Sequence, residues 1–282
     1  MIHKTISASF QFLTPAFVHG VYQGRTENTP ELRAPSIRGM LRWWWRTLGY
    51  GLGNEIFGSA SGKTGTASMI QIRLISPPEP SIGQGVQLLA HKNQGGKNAL
   101  QPMRDLYTVE LRPLRAGITS DQFERLQSSL DAWLLMGAIG QRSGRCCGSI
   151  WTETHAPSSA AEYLTSTRHL LNGSKTKIAI LDQEFQNEEA TRKMAGRFPK
   201  HDNHRSPIPG RVFGSANPRK SSSLKLRTVY LDGHYRIAAL WCPKGADDTS
   251  SNLAAALRKM KEYPVKVELA QLIENSLPDL TT

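Results

Sequence analysis

The chain has 282 residues, of which 39% are hydrophobic, and carries 35 Lys or Arg against 23 Asp or Glu. This length accommodates one large or two modest domains, and the basic excess predicts an acidic partner such as nucleic acid. No apolar run approaches the roughly 18 residues of a membrane span, and three cysteines without CxxC spacing exclude a disulfide or zinc framework, so we expect a cytoplasmic protein without membrane contact.

The first half, residues 1–153, has the element order of a ferredoxin-like domain. The predicted elements are a strand at 4–13, a helix at about 36–48 capped by Ser36, strands at 67–75 and 105–114, a helix starting at 120 and a short strand at 148–153. The order βαββαβ predicts one antiparallel sheet with both helices on one face, as in RRM modules, and the other face free to bind.

Residues 77–104 interrupt this order with a long segment rich in Pro, Gly, Gln and Lys. We predict a mobile loop whose small apolar cluster, Val86, Leu88 and Leu89, becomes ordered against a neighbouring subunit or RNA. The alternative is that the segment folds back on its own domain as a short hairpin.

The second half, residues 154–282, is predicted to be a second, degraded ferredoxin-like domain, which makes the fold class a tandem α+β arrangement. Its predicted elements are a helix at 156–171, strands at 177–185, 224–231 and 234–242, a helix at 251–263 and a last strand at 265–269. Asp232 and Gly233 form a favoured hairpin turn between two of these strands. A basic loop is predicted within 191–227, where ten Lys or Arg accompany one acid, Asp202.

The predicted helix at 36–48 carries two different faces. Ile37, Leu41, Trp44 and Leu48 form an apolar stripe that predicts burial. Arg38, Arg42 and Arg46 follow one another at i, i+4 spacing on another face, with Trp45 at the border. Guanidinium groups suit phosphate and an indole can stack on a base, so the face is a candidate RNA contact. The alternative is a solvated face that pairs with acids elsewhere in the fold.

A glycine-rich loop, GAIGQRSGRCCGSIW, follows the second predicted helix. Glycines let backbone N–H groups converge on an anion, and Arg142 and Arg145 add charge, so the loop is predicted to follow a phosphate backbone. The alternative is an ordinary helix-to-strand turn. Arg145 could lower the pKa of the neighbouring thiols, but a buried structural role for Cys146 and Cys147 is the stronger interpretation.

No convergent catalytic set is apparent, and we predict no catalytic residue, metal or cofactor. The HDNH sequence at 201–204 could hold a metal, but it lies in a predicted loop and is better interpreted as a phosphate contact. His19 is a single histidine, and such residues are more often structural than catalytic.

Four segments resemble the RAMP superfamily of CRISPR effector proteins: TPAFVHG, ELRAPSIRGMLRWWWR, EIFGSASG and GAIGQRSGRCCGSIW. More narrowly, they are similar to the first-numbered subunit family of the type III-B (Cmr) complex. RKSSSLKLR in the second half resembles a less specific element of the superfamily. One departure is that the family loop carries paired arginines before its Gly-Ser, whereas here Arg145 precedes Cys146 and Cys147.

The resemblance implies a non-catalytic RNA-binding subunit of an antiviral ribonucleoprotein, which contacts crRNA near its 3′ end, target RNA, or both, beside other RAMP subunits. The residues predicted to contact RNA are Ser36, Arg38, Arg42, Trp45, Arg46, Gly140, Arg142, Ser143, Arg145 and Gly148. One alternative is a metal-independent RAMP endoribonuclease that uses His19 as the base. Another is a purely structural subunit whose basic face is incidental.

Overall fold

The computed structural model describes residues 4–19, 29–60, 64–92, 94–114, 117–152, 156–181, 183–197, 221–243 and 251–253. Its elements are β1 (Ile6–Phe12), α1 (Ala34–Thr47), α2 (Asn54–Phe57), β2 (Ile70–Ile75), β3 (Ile82–Leu89), β4 (Gln94–Leu100), β5 (Tyr107–Pro113), α3 (Ser120–Met136), β6 (Ile150–Trp151), α4 (Ala160–Leu170), β7 (Lys177–Ile180), α5 (Glu188–Arg197), β8 (Leu224–Leu231) and β9 (His234–Trp241).

The first sheet has the predicted ferredoxin-like topology. Its strand order is β2-β5-β1-β6, and each neighbouring pair is antiparallel. Alternation sets the two faces: Phe10 and Val109 are buried, whereas Ser9 and Thr108 are half-buried and share a 2.8 Å hydrogen bond between their hydroxyls. Helices α1 and α3 pack together over the apolar core that the buried strand residues join. The predicted βαββαβ topology of this half is therefore confirmed, and a partner on the opposite face stays a prediction.

Helix α1 begins at Ala34, two residues before the predicted start. Arg33 is the N-cap, and Pro35 lies in the first turn, where its fixed φ suits a helix and its missing N–H costs nothing. Ser36 is therefore inside the helix, and its prediction as the cap is wrong. The predicted apolar stripe is confirmed, since Ile37, Leu41, Trp44 and Leu48 are all buried.

Strands β3 and β4 form an antiparallel hairpin in the segment predicted to be a mobile loop. The end of the hairpin is fastened to the first domain by paired backbone hydrogen bonds of 3.1 Å between Ala16 and Leu100. Val86 and Leu88 pack on a small cluster that contains Phe17. Two of the three residues of the predicted apolar cluster thus pack on their own chain. The structure agrees with the alternative interpretation, a hairpin that folds back on its own domain, and not with a mobile loop.

The second sheet has the strand order β7-β9-β8, with antiparallel pairing throughout. This is the order of three of the four strands in the first sheet, in agreement with a tandem ferredoxin-like fold. Asp232 and Gly233 have φ of 54° and 79°, the left-handed conformations that the predicted hairpin turn requires. The basic loop was predicted to begin at residue 191. This start is wrong, because residues 191–197 belong to α5. The predicted strand at 265–269 and most of the helix at 251–263 lie outside the described residues.

The second sheet is buried on both faces. Val229 and Leu240 join the core of the first domain, which also includes Tyr163 of α4. Leu226 and Ala239 point the other way, into a separate apolar cluster beside α5. Residues on either side of the predicted boundary near 153 therefore share one core.

Candidate nucleic-acid interface

A groove of about 740 Å³ lies between the start of α1, the glycine-rich loop and the start of β8. Four basic side chains line it: Arg33, Arg142, Arg145 and Lys225. Four serines line it as well: Ser36, Ser143, Ser221 and Ser222. None of its described lining residues is Asp or Glu. Guanidinium, ammonium and hydroxyl donors without a competing carboxylate form a surface suited to an anion such as phosphate.

The N-terminal end of α1 adds a second source of positive potential to the groove. No acidic residue lies in the first turn, and the N-cap residue, Arg33, makes no side-chain cap hydrogen bond. The positive end of the helix dipole is therefore uncompensated there. Within the described part of the chain, the Nε of Arg33 is buried and has no hydrogen-bond partner. The helix end and this guanidinium can act together on one anion.

The glycine-rich loop is shaped by two glycines at opposite ends. Gly140 has φ of 96°, and a Cβ there would lie 2.8 Å from the carbonyl oxygen of Phe17. Gly148 has φ of 60°, and a Cβ would lie 2.0 Å from the carbonyl oxygen of Ile139. Gly148 is buried and its N–H donates to the Pro15 carbonyl at 2.9 Å, so the RNA contact predicted for it is wrong. Gly148 instead brings the two chain segments together.

The loop concentrates positive charge. The pKa of Arg145 is lowered to about 10, mainly by burial and in addition by the nearby guanidinium groups of Arg142 and Arg227. Burial also lowers the pKa of Arg142. Arg145 Nη1 donates to the carbonyl oxygens of Gly144, at 3.0 Å, and Leu224, at 3.5 Å. An anion in the groove would relieve the mutual repulsion of these cations.

The arginine stripe of α1 lies outside the lining of this groove. Arg42 Nη2 donates to Asn54 Oδ1 at 2.5 Å and to the Gly58 carbonyl at 2.6 Å. Arg46 is exposed, and its Nε donates to the Leu52 carbonyl at 3.1 Å. Arg42 therefore holds the segment that follows the helix, and its contact with RNA stays a prediction. Arg38 and Arg46 remain predicted contacts that are separate from the groove.

Trp45 cannot stack on a base as predicted, because only 1% of its surface is exposed. Its Nε1 donates to the Tyr50 carbonyl at 2.9 Å, and its ring makes edge contacts with Tyr50 and Phe57. The segment after α1 therefore covers Trp45, which the helical wheel placed at the border between the apolar stripe and the arginine face. Trp43 is half-buried, with Lys225 Nζ 5.7 Å from its ring centroid.

Of the predicted contact residues, the groove brings together Ser36, Gly140, Arg142, Ser143 and Arg145. Sequence reasoning missed Arg33, Lys225, Ser221 and Ser222 as members of the same site. Arg33 and Lys225 each lie in a segment that resembles the RAMP superfamily, and that was the available signal. Only the packing of β8 beside the loop shows that they meet.

His19 also lines the groove. Its two ring nitrogens are buried and have no hydrogen-bond partner among the residues that the structure describes. Burial lowers the pKa of His19, and the positive charge of Lys97 lowers it further. A neutral imidazole is thus favoured at neutral pH. The HDNH residues at 201–204 lie outside the described residues.

The cysteines are free and buried, as predicted. Burial raises the pKa of Cys146 to about 12 and that of Cys147 to about 11. The preferred interpretation, a buried structural role, agrees with these values: burial outweighs the lowering effect of Arg145 on the pKa of Cys146. In the described ranges, no three His, Cys, Asp or Glu side chains could jointly hold a metal ion, and no helix there is long and apolar enough to cross a membrane.

The family model of the RAMP superfamily matches residues 9–151, about half of the chain. The chain belongs to the RAMP superfamily. That match includes α1 and the glycine-rich loop. It confirms the resemblance at the level of the superfamily. No curated protein matches the chain.

Solved structures of RAMP proteins have the same fold. Cmr1 from Pyrococcus furiosus, in its apo form, is 17% identical with a TM-score of 0.58, over 91% of this chain and 97% of that one. A chain of the type III-B Cmr-beta complex bound to cognate target RNA is 9% identical with a TM-score of 0.53, over 86% and 94%. A second Cmr-beta structure, also bound to target RNA, is 10% identical with a TM-score of 0.52, over 92% and 99%. These likenesses establish the α+β fold of this RAMP protein.

Proposed function

We propose that this RAMP protein is a non-catalytic RNA-binding subunit of a type III-B CRISPR effector, which contacts crRNA near its 3′ end, target RNA, or both, beside other RAMP subunits. The observation that carries the proposal is the basic groove between α1 and the glycine-rich loop, whose described lining residues include no acid. The fold shared with Cmr1 and with Cmr-beta chains in target-RNA complexes supports it.

The chemistry of the groove favours the backbone of a single strand over base-specific recognition. Its donors are guanidinium groups, an ammonium group, hydroxyls and a helix end, all of which suit phosphate or ribose. The one indole predicted to stack, that of Trp45, is buried. Binding is therefore expected to depend weakly on sequence and strongly on salt.

The salt dependence of RNA affinity tests the proposal. With about 0.7 counterions released per contact on a single strand, the four basic side chains predict a logarithmic slope of about −3, or roughly 50-fold weaker binding for a fourfold rise in salt. Arg33→Ala combined with Arg142→Ala should halve the slope, so that the same rise weakens binding only about sevenfold. Fluorescence anisotropy with a labelled single-stranded RNA measures both.

Arg38→Ala combined with Arg46→Ala is the comparison variant: it removes the same charge outside the groove, from the α1 stripe, which also carries predicted RNA contacts. If the stripe variant lowers the slope and the groove variant leaves it unchanged, the groove assignment is wrong. If the wild-type chain binds RNA without salt dependence, the proposal as a whole fails.

The second candidate is a metal-independent endoribonuclease, and the position of His19 in the groove favours it. A neutral imidazole there could take the proton of a ribose 2′-OH. We expect no cleavage of the labelled RNA on a denaturing gel, with or without divalent metal. Cleavage in EDTA that His19→Ala abolishes would establish the endoribonuclease instead.

A further inference from the structure

The glycine-rich loop is laid against strand β8 of the second sheet. The Cys146 N–H donates to the Leu226 carbonyl at 3.1 Å, and the Leu226 N–H donates to the Gly144 carbonyl at 3.2 Å. Further along, the Thr228 N–H donates to Ser149 Oγ at 3.1 Å. Through these bonds β8 fixes the backbone of the loop, although the two segments are about eighty residues apart in the sequence.

Arg227 lies at the centre of this contact and is 4% exposed. Its Nε donates to the Met136 carbonyl at 3.2 Å, and its Nη1 donates to the carbonyl oxygens of Ser143 and, at 3.1 Å, Leu226. One planar guanidinium therefore joins the end of α3 to the middle of the glycine-rich loop. A lysine has its N–H donors on one nitrogen and cannot reproduce the planar fork of a guanidinium.

The hydrogen bonds of Arg227 go to neutral groups. Each acceptor named above is a backbone carbonyl, and no carboxylate bonds to Arg227 within the described residues. Burial lowers the pKa of Arg227, and its positive charge in turn lowers the pKa of Arg145. Burial of a cation among neutral partners is costly, and an anion above the loop would offset that cost.

We infer that Arg227 is the positioning residue of the groove: its guanidinium fixes the loop at Ser143 and Met136, so that Arg142 and Arg145 are presented to RNA phosphate. The inference rests on the proposed function. If it holds, the RNA affinity of the groove depends on the second sheet, through a buried residue of β8 that touches no RNA.

Arg227→Lys in the full chain tests this inference, with RNA affinity measured well below the melting temperature. The charge is kept and the direct phosphate contacts remain, so the salt slope should equal that of the wild type. Affinity should fall about tenfold, because the loop loses the equivalent of one or two net hydrogen bonds that hold its shape. A purely structural arginine would lower the melting temperature and leave the affinity of the folded molecules unchanged.

Arg236→Lys is the matched control. Arg236 lies on β9 of the same sheet with its side chain 16% exposed, and its Nη2 donates to Glu184 Oε1 at 2.6 Å and lies 3.6 Å from Asp232 Oδ2. It does not line the groove. Its substitution should lower stability without changing RNA affinity. Equal loss of affinity in both variants would overturn the inference, because the effect would then follow general instability.

A measurement on the wild-type chain covers the case in which Arg227→Lys fails to fold. RNA should slow hydrogen exchange at the amides of Cys146 and Leu226, which bond the loop to β8. If exchange at these amides is unchanged by RNA, while the double variant Arg33→Ala, Arg142→Ala shows the expected halved salt slope, the role of Arg227 is overturned and the groove assignment stands. Absence of RNA binding by the wild type is a failure of the proposed function itself.

Discussion

Gly148→Ala should destabilise the protein strongly, although the change adds a single methyl group. The left-handed φ of 60° costs an alanine about 1–2 kcal/mol relative to glycine. The added Cβ would also lie 2.0 Å from the Ile139 carbonyl oxygen, a backbone atom that cannot swing away. Relief of that overlap costs a further 1–3 kcal/mol or so, for a total of about 3 kcal/mol. In a chain of this size, that loss lowers the melting temperature by roughly 10 °C.

Thermal unfolding followed by circular dichroism measures the effect, and Gly144→Ala is the control from the same loop. A Cβ at Gly144 meets nothing within 4 Å, and its φ is not in the left-handed range. The control should therefore melt close to the wild type. If Gly148→Ala also melts with the wild type, the loop can shift without cost and the reasoning about its rigid backbone is refuted.

Three further results are expected. Ellman's reagent at pH 8 should leave Cys146 and Cys147 unmodified until denaturant is added. Because burial raises both pKa values, the free energy of unfolding should fall as the pH rises above the usual thiol pKa of 9.0. A free energy of unfolding that stays constant there would contradict the burial of the two thiols. Arg42→Met should lower the free energy of unfolding, measured in urea, by about 2 kcal/mol, since two hydrogen bonds to a charged group are lost, whereas Arg46→Met should lower it by less than about 0.5 kcal/mol. Equal losses would show that Arg42 does not hold the segment after α1. Hydrogen exchange at 86–89 should be slow in the free chain, and fast exchange would favour the mobile loop.

Local patterns were sufficient for the elements whose partners are close in sequence. The burial of Ile37 and Leu41 follows from helical periodicity, and the turn at Asp232 and Gly233 follows from the conformations these residues tolerate. In both cases the physical cause acts within one or two turns of chain. Such features can be predicted without knowing what packs against them.

The failures arose where a distant segment decides the outcome. A helical wheel cannot show that the chain around Tyr50 folds over Trp45 and accepts its indole N–H. Composition cannot show that a glycine-rich stretch pairs as a hairpin and is fastened at Leu100 to Ala16. The groove was half predicted for the same reason: the glycine-rich loop is visible as a motif, whereas the approach of Lys225 depends on the second sheet.

The dependence of the loop on β8 sets an order for the birth of the groove. During synthesis the first sheet is complete once residue 151 has left the ribosome, but β8 begins only at residue 224. Until then the carbonyl of Ser143 lacks Arg227, and the N–H of Cys146 lacks Leu226. A nascent chain can thus contain every strand of the first sheet and still lack the completed groove. Cellular RNA would meet the completed groove only after most of the polypeptide has been made.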